Sequence, residues 1–406
     1  MLLFSPKLLR AMITQTIYTK TIRTKDFKQH LEVVADKIFK LNFKDSIDVS
    51  GLVGISSRSI FLSNLLKYEP KYKKKCDQII QEDIRSLFEY IAKNEVTPFY
   101  VDGLAGFGWC LAYLHENNNL NINEKEVFTE LDQHIFQLGI NAVKEGNFDF
   151  FYGAIGYGNY LIQRAKGNKE VRNYLKELGE EMIVLNKEST FLDVYTDEED
   201  GSIDFSISHG LSSLIVFFSN LVVLGLASKE IKLELKKCCD EILKHTKDLR
   251  VPDAIEKEGP KFSPLRWCHG ELGIVSALAF ASKVLDDNEI NSKALKIAKK
   301  VALFQLDENQ NLTSSTICHG TLSVAHVFQK WYNDYWQSEK IGEASKYWYE
   351  ESNKMMNSKT AYNYLDDDGV FREMNGILFG IEGVGLALIS ALDIKFSDWE
   401  SSILLY

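Results

Sequence analysis

The sequence predicts an all-α fold in which seven helical hairpins close into a ring. Two observations predict it: a short glycine pattern occurs seven times, and the segments between its copies carry apolar residues at helical spacing. In addition, alternation of apolar and polar residues, the pattern of a half-buried strand, is scarce. Because the copies use most of the 406 residues, a single ring replaces the two or three domains that the length alone suggests.

Each copy of the pattern is a glycine, a small residue three positions later, and an apolar run. The copies begin at Gly51, Gly103, Gly153, Gly210, Gly270, Gly320 and Gly380. They are 50 to 60 residues apart, a length that accommodates two helices and their connections. The apolar runs predict buried inner helices. Glycine allows close packing and tight turns without any chemistry, so most copies are interpreted as structural.

The segments between the copies predict amphipathic outer helices. Apolar residues step by three or four positions in two clear examples, Ile80, Ile84, Leu87 and Ile91, and Ile231, Leu235, Cys238 and Ile242. The last glycine copy opens a run as apolar as the middle ones, whereas an open solenoid usually has polar caps. We therefore expect the ring to be closed. The uncharged run at 211–227 is interpreted as a buried helix of this core rather than a membrane span.

Composition restricts the partners and the compartment. The chain has 47 basic and 57 acidic residues, a net charge of −10, and no Lys/Arg block that could neutralise several phosphates, so nucleic acid is not expected to bind. Six dispersed cysteines do not resemble a disulfide framework. The apolar stretch at residues 1–4 is too short for a signal peptide. We expect a cytoplasmic protein.

Alignment of the seven copies places histidine at equivalent positions in three consecutive repeats. The residue before the glycine is His209, His269 and His319 in those repeats, and Cys268 and Cys318 precede the last two. Equivalent positions of a closed ring lie at one height, so these five side chains should converge on one rim. Thiolate and imidazole are the ligands that zinc prefers, and a catalytic zinc uses three protein ligands and an open position.

Each of these residues also has an interpretation without chemistry. A single cysteine is commonly a small buried hydrophobe, and a single histidine a hydrogen-bonded core residue. The matched Cys-His pairs favour zinc over this alternative. His209 has no cysteine before it and is interpreted as a proton-transfer group. Asp149, four residues before Gly153, either orients an imidazole, acts on a proton itself, or caps a helix.

The chain resembles the lanthionine synthetase C family, the lantibiotic cyclases. The motifs are Trp267-Cys268-His269-Gly270, Cys318-His319-Gly320 and Ser208-His209-Gly210. The match runs from about Gly51 to the C-terminal segment at Trp399, and the family fold is an α/α toroid of seven helical hairpins. By this resemblance, residues 46–406 form one toroidal cyclase domain, and residues 1–45 are a helical extension packed on the barrel.

The resemblance also implies the site. Cys268, Cys318 and His319 match the zinc ligands, with one zinc per chain. His209 and Asp149 match the acid/base positions, and His269 lies where members have His or Tyr. Some members have an Arg where this chain has Pro264, and Arg266 is the nearest substitute.

The implied activity is addition of a peptide cysteine thiol to dehydroalanine or dehydrobutyrine in a lanthipeptide precursor, which forms lanthionine or methyllanthionine rings. The substrate is then a dehydrated precursor with its leader. Because the family's cyclases often associate with a dehydratase and a membrane transporter, peripheral membrane association through such a complex is expected. Two alternatives stay open: a related enzyme that adds glutathione to dehydrated residues, and a zinc-binding scaffold without catalysis.

Overall fold

The computed structural model describes residues 24–41, 48–186, 190–307, 310, 312–358, 360–365 and 368–406. These residues form a mostly helical protein. In chain order the α-helices are α1 (Thr24–Ile38), α2 (Ser56–Tyr68), α3 (Lys73–Ile91), α4 (Leu104–Glu116), α5 (Glu124–Lys144), α6 (Ala154–Arg164), α7 (Lys169–Leu185), α8 (Phe191–Val194), α9 (Leu211–Val223), α10 (Lys229–Lys244), α11 (Glu271–Leu285), α12 (Asn288–Val301), α13 (Thr321–Lys330), α14 (Glu339–Met356) and α15 (Ile381–Leu392).

The inner layer of the ring consists of the helices that follow the glycine pattern, α2, α4, α6, α9, α11, α13 and α15. Each contacts the next, and α15 contacts α2, so the ring is closed. The predicted closed α/α toroid of helical hairpins is therefore confirmed. Along their length these helices are buried on nearly all sides, which explains why their sequences show little amphipathic periodicity.

The outer layer consists of amphipathic helices, and α1 completes it. α1 buries Phe27, Leu31 and Val34 and packs on α15 and α14. The N-terminal part of the chain thus supplies the outer partner of the last inner helix. The predicted division of the chain at residue 45 stays a prediction, and residues 1–23 and 42–47 lie outside the described part.

Two small antiparallel sheets occupy loops at the ends of the helices. The first has the order β1 (Ile203–Asp204), β2 (Ala254–Glu256) and β3 (Gly259–Lys261), with Ile203 opposite Ile255 and Ala254 opposite Lys261. The second is a hairpin of β4 (Tyr364–Leu365) and β5 (Phe371–Arg372). Short 3₁₀ helices cover Pro70–Tyr72, Ile394–Phe396 and Asp398–Ile403, and a π-helical turn follows α13 at Trp331–Tyr335.

The long apolar run in the middle of the chain is a core helix. Its helical part, α9, has 13 residues and is buried from Leu211 to Leu221, as predicted. A helix of that length spans only about 20 Å, well short of a bilayer's hydrocarbon core of about 30 Å. None of the helices within the described residues is long and apolar enough to cross a membrane.

Candidate metal centre

The loops that precede the inner helices are hydrogen-bonded to one another around one rim of the ring. Examples are Val49 N–H to Asp102 O at 3.1 Å, Ile207 N–H to Cys268 O at 3.3 Å, and Cys318 N–H to Leu378 O at 2.9 Å. These bonds join positions of neighbouring repeats that are equivalent or one residue apart. This backbone arrangement is the physical reason that repeat register brings distant residues together.

Cys268, Cys318 and His319 form a compact cluster on this rim. Their thiol sulfurs and one imidazole nitrogen lie within 4.8 Å of one another, which is close enough to hold one metal ion. Both cysteines are buried, and His319 is partly exposed. Two sulfur donors and one nitrogen donor fit zinc, which leaves a fourth position for a substrate. Within the described residues, these three side chains are the His, Cys, Asp or Glu group whose ligand atoms are close enough to share one ion.

Electrostatics distinguish Cys268 from the other cysteines. Burial disfavours the Cys268 thiolate, but hydrogen bonding to Cys318 and His319 and the nearby imidazoles outweigh burial and lower the pKa of Cys268 well below its ordinary value. Burial, with the Cys268 charge, raises the pKa of Cys318. Burial alone dominates at Cys76, whose pKa rises to about 12. A cluster with one favoured thiolate is suited to a cation.

Gly270 shapes the loop that carries Cys268 and His269. Its φ is +142°, and a Cβ at this position would lie 2.6 Å from the Pro264 carbonyl oxygen. Only glycine adopts this conformation without strain. The glycine is therefore required for the turn from Cys268 and His269 into α11.

His209 and Asp149 form a hydrogen-bonded pair between neighbouring repeats. The Nδ1 of His209 donates to Oδ2 of Asp149 at 2.6 Å. The other oxygen of Asp149 accepts from the backbone N–H groups of Phe151 and Tyr152 at 2.6 and 2.8 Å. Of its three alternatives, Asp149 thus shows contact with an imidazole. It does not cap a helix, because its backbone partners lie in the loop before α6, and the N-cap of α6, Gly153, receives no side-chain hydrogen bond. The backbone bonds fix the carboxylate, and the carboxylate fixes the ring.

The charge state of His209 follows from this pair. Burial is the largest influence and disfavours the imidazolium, but the hydrogen bond and charge of Asp149, with smaller effects of Asp204 and Cys268, outweigh it and raise the pKa of His209 above its ordinary value. Among the described residues, Nε2 of His209 has no hydrogen-bond partner. The ring can therefore hold a proton on the nitrogen that faces away from Asp149.

His269 stacks against His209. The two ring centroids are 5.5 Å apart with an interplanar angle of 26°, and Nε2 of His269 lies 3.4 Å from the Ser208 hydroxyl. Phe151 contacts the His209 ring edge-on, with centroids 5.0 Å apart. These contacts place His269 beside the Asp149–His209 pair as well as next in sequence to Cys268.

Arg266 lies close enough to influence the cluster. Its charge favours the Cys318 thiolate, although burial has the larger effect and the pKa of Cys318 is raised. The Arg266 Nε is buried and makes no hydrogen bond to any part of the chain that the structure describes. The structure thus brings all seven residues singled out from the sequence, which are Asp149, His209, Arg266, Cys268, His269, Cys318 and His319, to one rim.

Two aromatic residues next to His319 have no counterpart in the sequence-based set. The His319 ring centroid lies 5.8 Å from that of Tyr364, on β4, and 5.7 Å from that of Phe379. Tyr364 and Phe379 also contact each other at 4.6 Å. Phe379 directly precedes the seventh glycine, Gly380, but its residue type does not indicate a metal site. Tyr364 lies outside the repeat pattern altogether.

Among the solved structures that are similar to this chain, nisin cyclase shares its fold. The superposition on nisin cyclase has a TM-score of 0.66 and a sequence identity of 18%, and it covers 94% of this chain and 98% of the nisin cyclase chain. A sugar epimerase from a ruminal bacterium has a TM-score of 0.44 and 13% identity over 91% and 98%. A GH105 family candidate from Salmonella enterica serovar Paratyphi A has a TM-score of 0.38 and 14% identity over 83% and 95%. No curated protein sequence matches significantly.

The likeness to nisin cyclase, at this low identity, concerns the fold. The family assignment rests on a separate sequence match, to the family described as lanthionine synthetase C-like protein, over residues 45–404. That match includes the whole ring from α2 to α15 and every residue of the rim cluster. This chain therefore belongs to the lanthionine synthetase C-like protein family.

Proposed function

We propose that this chain is a zinc-dependent peptide cyclase. It adds cysteine thiols to dehydroalanine or dehydrobutyrine residues of a lanthipeptide precursor and so forms thioether rings. The observation that carries the proposal is the meeting of two elements on one rim: a Cys₂His cluster suited to one metal ion, and the Asp149–His209 pair. A binding scaffold needs no acid/base pair beside a metal cluster.

Cys268, Cys318 and His319 are the groups that would hold the zinc ion. Zinc, when bound, acts as a Lewis acid that deprotonates a coordinating thiol near neutral pH. The two cysteines contribute negative charge, which keeps a bound thiolate nucleophilic. Arg266, whose charge favours the Cys318 thiolate, helps to maintain the ligand in the form that binds a metal.

The addition requires a proton as well as a thiolate. The C–S bond forms at the β-carbon of the dehydro residue, the C=C π bond breaks, and a proton must reach the α-carbon. The thiol proton and this proton balance, so the reaction needs no further reactant. His209 is the proposed donor, because Asp149 holds Nδ1 and raises the pKa of the imidazole, leaving Nε2 to carry the proton.

His269 has a supporting role in this proposal. Its ring stacks on His209 at 5.5 Å and fixes one face of the donor. It is also the second candidate for the proton donor, since it lies next to Cys268 and near the Ser208 hydroxyl.

The metal assignment is tested by metal analysis of the purified Cys318→Ala variant. We expect loss of bound zinc, because two ligands rarely retain the ion. The matched control is Cys238→Ala, which removes another buried cysteine and should keep a full zinc complement. A full complement in Cys318→Ala would refute the ligand assignment.

The reaction is tested with a dehydrated, leader-bearing precursor peptide, using mass spectrometry after thiol alkylation. Ring closure protects cysteines from alkylation, whereas glutathione addition gives adducts and leaves them reactive, so one assay separates cyclase from glutathione transferase. A zinc-loaded chain that does neither would be a scaffold. His209→Ala should close rings far more slowly, and a wild-type rate would remove His209 from the mechanism.

The partners are part of the same proposal. The precursor binds through its leader and its dehydrated core, and a dehydratase and a membrane transporter assemble with the cyclase. Affinity purification of the chain from cells that express all three would reveal this complex.

A further inference from the structure

The C-terminal segment, residues 398–406, lies inside the ring. It forms hydrogen bonds with residues on opposite sides of the inner layer: Tyr113 of α4 donates to Asp398 at 2.8 Å, Asn159 of α6 donates to the Ser401 carbonyl at 3.1 Å, and Trp399 donates to Ser390 of α15 at 2.9 Å. A segment bonded to several inner helices at once must occupy the space that they enclose.

Buried charges anchor the base of this segment. Oε2 of Glu400 accepts from the Lys330 ammonium at 2.8 Å, and Oε1 lies 2.7 Å from Nε2 of His326. The rings of Trp399 and His326 stack with centroids 5.4 Å apart. All of these side chains are buried. The segment is thus held firmly from α13, the helix that follows Cys318 and His319.

The chain reverses direction at Leu404. This residue has a φ of +58°, a left-handed conformation that is unusual for a bulky side chain. After the reversal, the Tyr406 hydroxyl donates to Asn159 at 2.9 Å, and the Tyr406 ring stacks on Phe280 at 5.4 Å. The residues just before Leu404 therefore form an apex that the surrounding structure maintains against local strain.

Two carbonyl groups at this apex bind the rim loops. The Tyr100 hydroxyl donates to the Ser402 carbonyl at 3.1 Å, and Nε1 of Trp267 donates to the Ile403 carbonyl at 3.0 Å. Trp267 is fully buried, precedes Cys268 in sequence, and packs against Phe151, with centroids 6.3 Å apart. Phe151 in turn contacts His209. The apex thus contacts Trp267, next to Cys268, and through Trp267 and Phe151 it is connected to His209.

We propose that the C-terminal segment positions Cys268 for metal binding through the hydrogen bond between the Trp267 indole and the Ile403 carbonyl. Because Trp267 and Cys268 share a peptide bond, fixing the indole fixes the direction in which the Cys268 thiol points. Trp267 and the Ile403 carbonyl are positioning groups of the metal centre and do not touch the metal. The inference rests on the proposed zinc site and extends it to a segment outside the repeats.

The experiment compares zinc affinity in Trp267→Phe and the wild type by competition with a chromogenic chelator. Phenylalanine keeps a large aromatic ring and removes the N–H donor. We expect about tenfold weaker zinc binding, the loss typical of groups that orient a ligand, and a changed absorption spectrum of the cobalt-substituted protein. The matched control is Trp331→Phe, which removes another buried indole donor, to Ser276 at 2.8 Å, and should bind zinc like the wild type.

The outcomes separate the inference from the proposed function. Wild-type zinc affinity in Trp267→Phe, or equal losses in both variants, would overturn the inference alone, whereas a wild-type chain without zinc would overturn both. If Trp267→Phe does not fold, Tyr100→Phe replaces it. That variant removes the other bond to the apex and should weaken zinc binding about threefold, and an unchanged affinity would refute the inference.

Discussion

Asp149→Asn tests whether the carboxylate acts through His209. The variant preserves side-chain shape, and its amide oxygen can still accept from the backbone N–H groups of Phe151 and Tyr152, which now bond to one carboxylate oxygen. The other oxygen, which accepts from His209 at 2.6 Å, is replaced by an NH₂ group. A charge-assisted hydrogen bond is thereby lost, and the imidazolium no longer faces a negative charge.

The size of the effect follows from that bond. Hydrogen bonds to charged groups contribute about 1.5–3 kcal/mol, and each 1.36 kcal/mol corresponds to a tenfold change in rate. Because both side chains are partly exposed, with relative exposures of 35% for His209 and 21% for Asp149, the lower half of this range applies. We expect ring closure to slow by about ten- to fortyfold.

The assay is single-turnover ring closure with zinc-saturated protein, followed by mass spectrometry. Asp102→Asn is the control, since Asp102 occupies the rim of the preceding repeat and bonds to Thr97 rather than to an imidazole; its rate should stay within twofold of the wild type. The double variant Asp149→Asn/His209→Ala should be no slower than His209→Ala. A wild-type rate in Asp149→Asn, or additive losses in the double variant, would refute the mechanism.

Two further expectations concern buried carboxyl groups. Glu400→Gln removes the negative charge that faces the buried Lys330 ammonium, which costs about 3–5 kcal/mol of folding free energy. Since the unfolding entropy of a chain of this size is about 0.9 kcal/mol/K, Tm should fall by about 3–6 °C in calorimetry. The control Glu180→Gln, in an exposed ion pair with Lys176, should lower Tm by about 1 °C. Burial opposes ionisation of Glu400, but Lys330 and His326 lower its pKa, so this stabilisation is present above about pH 4.3 and lost as pH falls through the lower folded pKa. Burial raises the pKa of Glu382 to about 8. Its contribution to the free energy of unfolding is therefore favourable below about pH 4.3 and is lost as the pH rises towards 8. Glu382→Gln should gain Tm relative to the wild type over this interval, and parallel pH profiles would contradict the assignment.

The sequence predicted the parts of the site that follow repeat register. His209, His269 and His319 occupy one alignment position, and ring closure converts that position into proximity. The sequence does not determine the Asp149–His209 bond, because a carboxylate four residues before a glycine can orient an imidazole, act on a proton or cap a helix. The structure shows the contact with the imidazole, at 2.6 Å. The number of inner helices was predictable from the same seven glycine copies, because one inner helix follows each copy.

Other parts of the structure lie outside the glycine repeat, so the alignment of its copies does not predict their contacts. α1 completes the outer layer by packing on α15, but no glycine pattern connects a helix at the start of the chain with one at its end. The β4–β5 hairpin that brings Tyr364 to His319 has two residues per strand, too few for a recognisable alternation. The C-terminal segment bonds to the rim loops through the carbonyl groups of Ser402 and Ile403. Every residue possesses a carbonyl group, so these two contacts leave no trace in residue type.

The contrast between the repeated inner helices and the variable loops explains why the metal cluster and the Asp149–His209 pair lie on the rim. The loops of a ring can vary without loss of the core, because the inner helices supply the buried apolar contacts and the loops only connect them. Loops alone, however, hold ligands loosely, and a metal site needs a rigid support behind its ligands. Here the support comes from inside the ring, where Glu400 and Lys330 anchor a segment whose apex bonds to Trp267 beside Cys268. The anchor and the ligand are thus in one hydrogen-bonded structure, so Glu400→Gln should weaken zinc binding as well as lower Tm, whereas Glu382→Gln, outside that structure, should leave zinc binding unchanged.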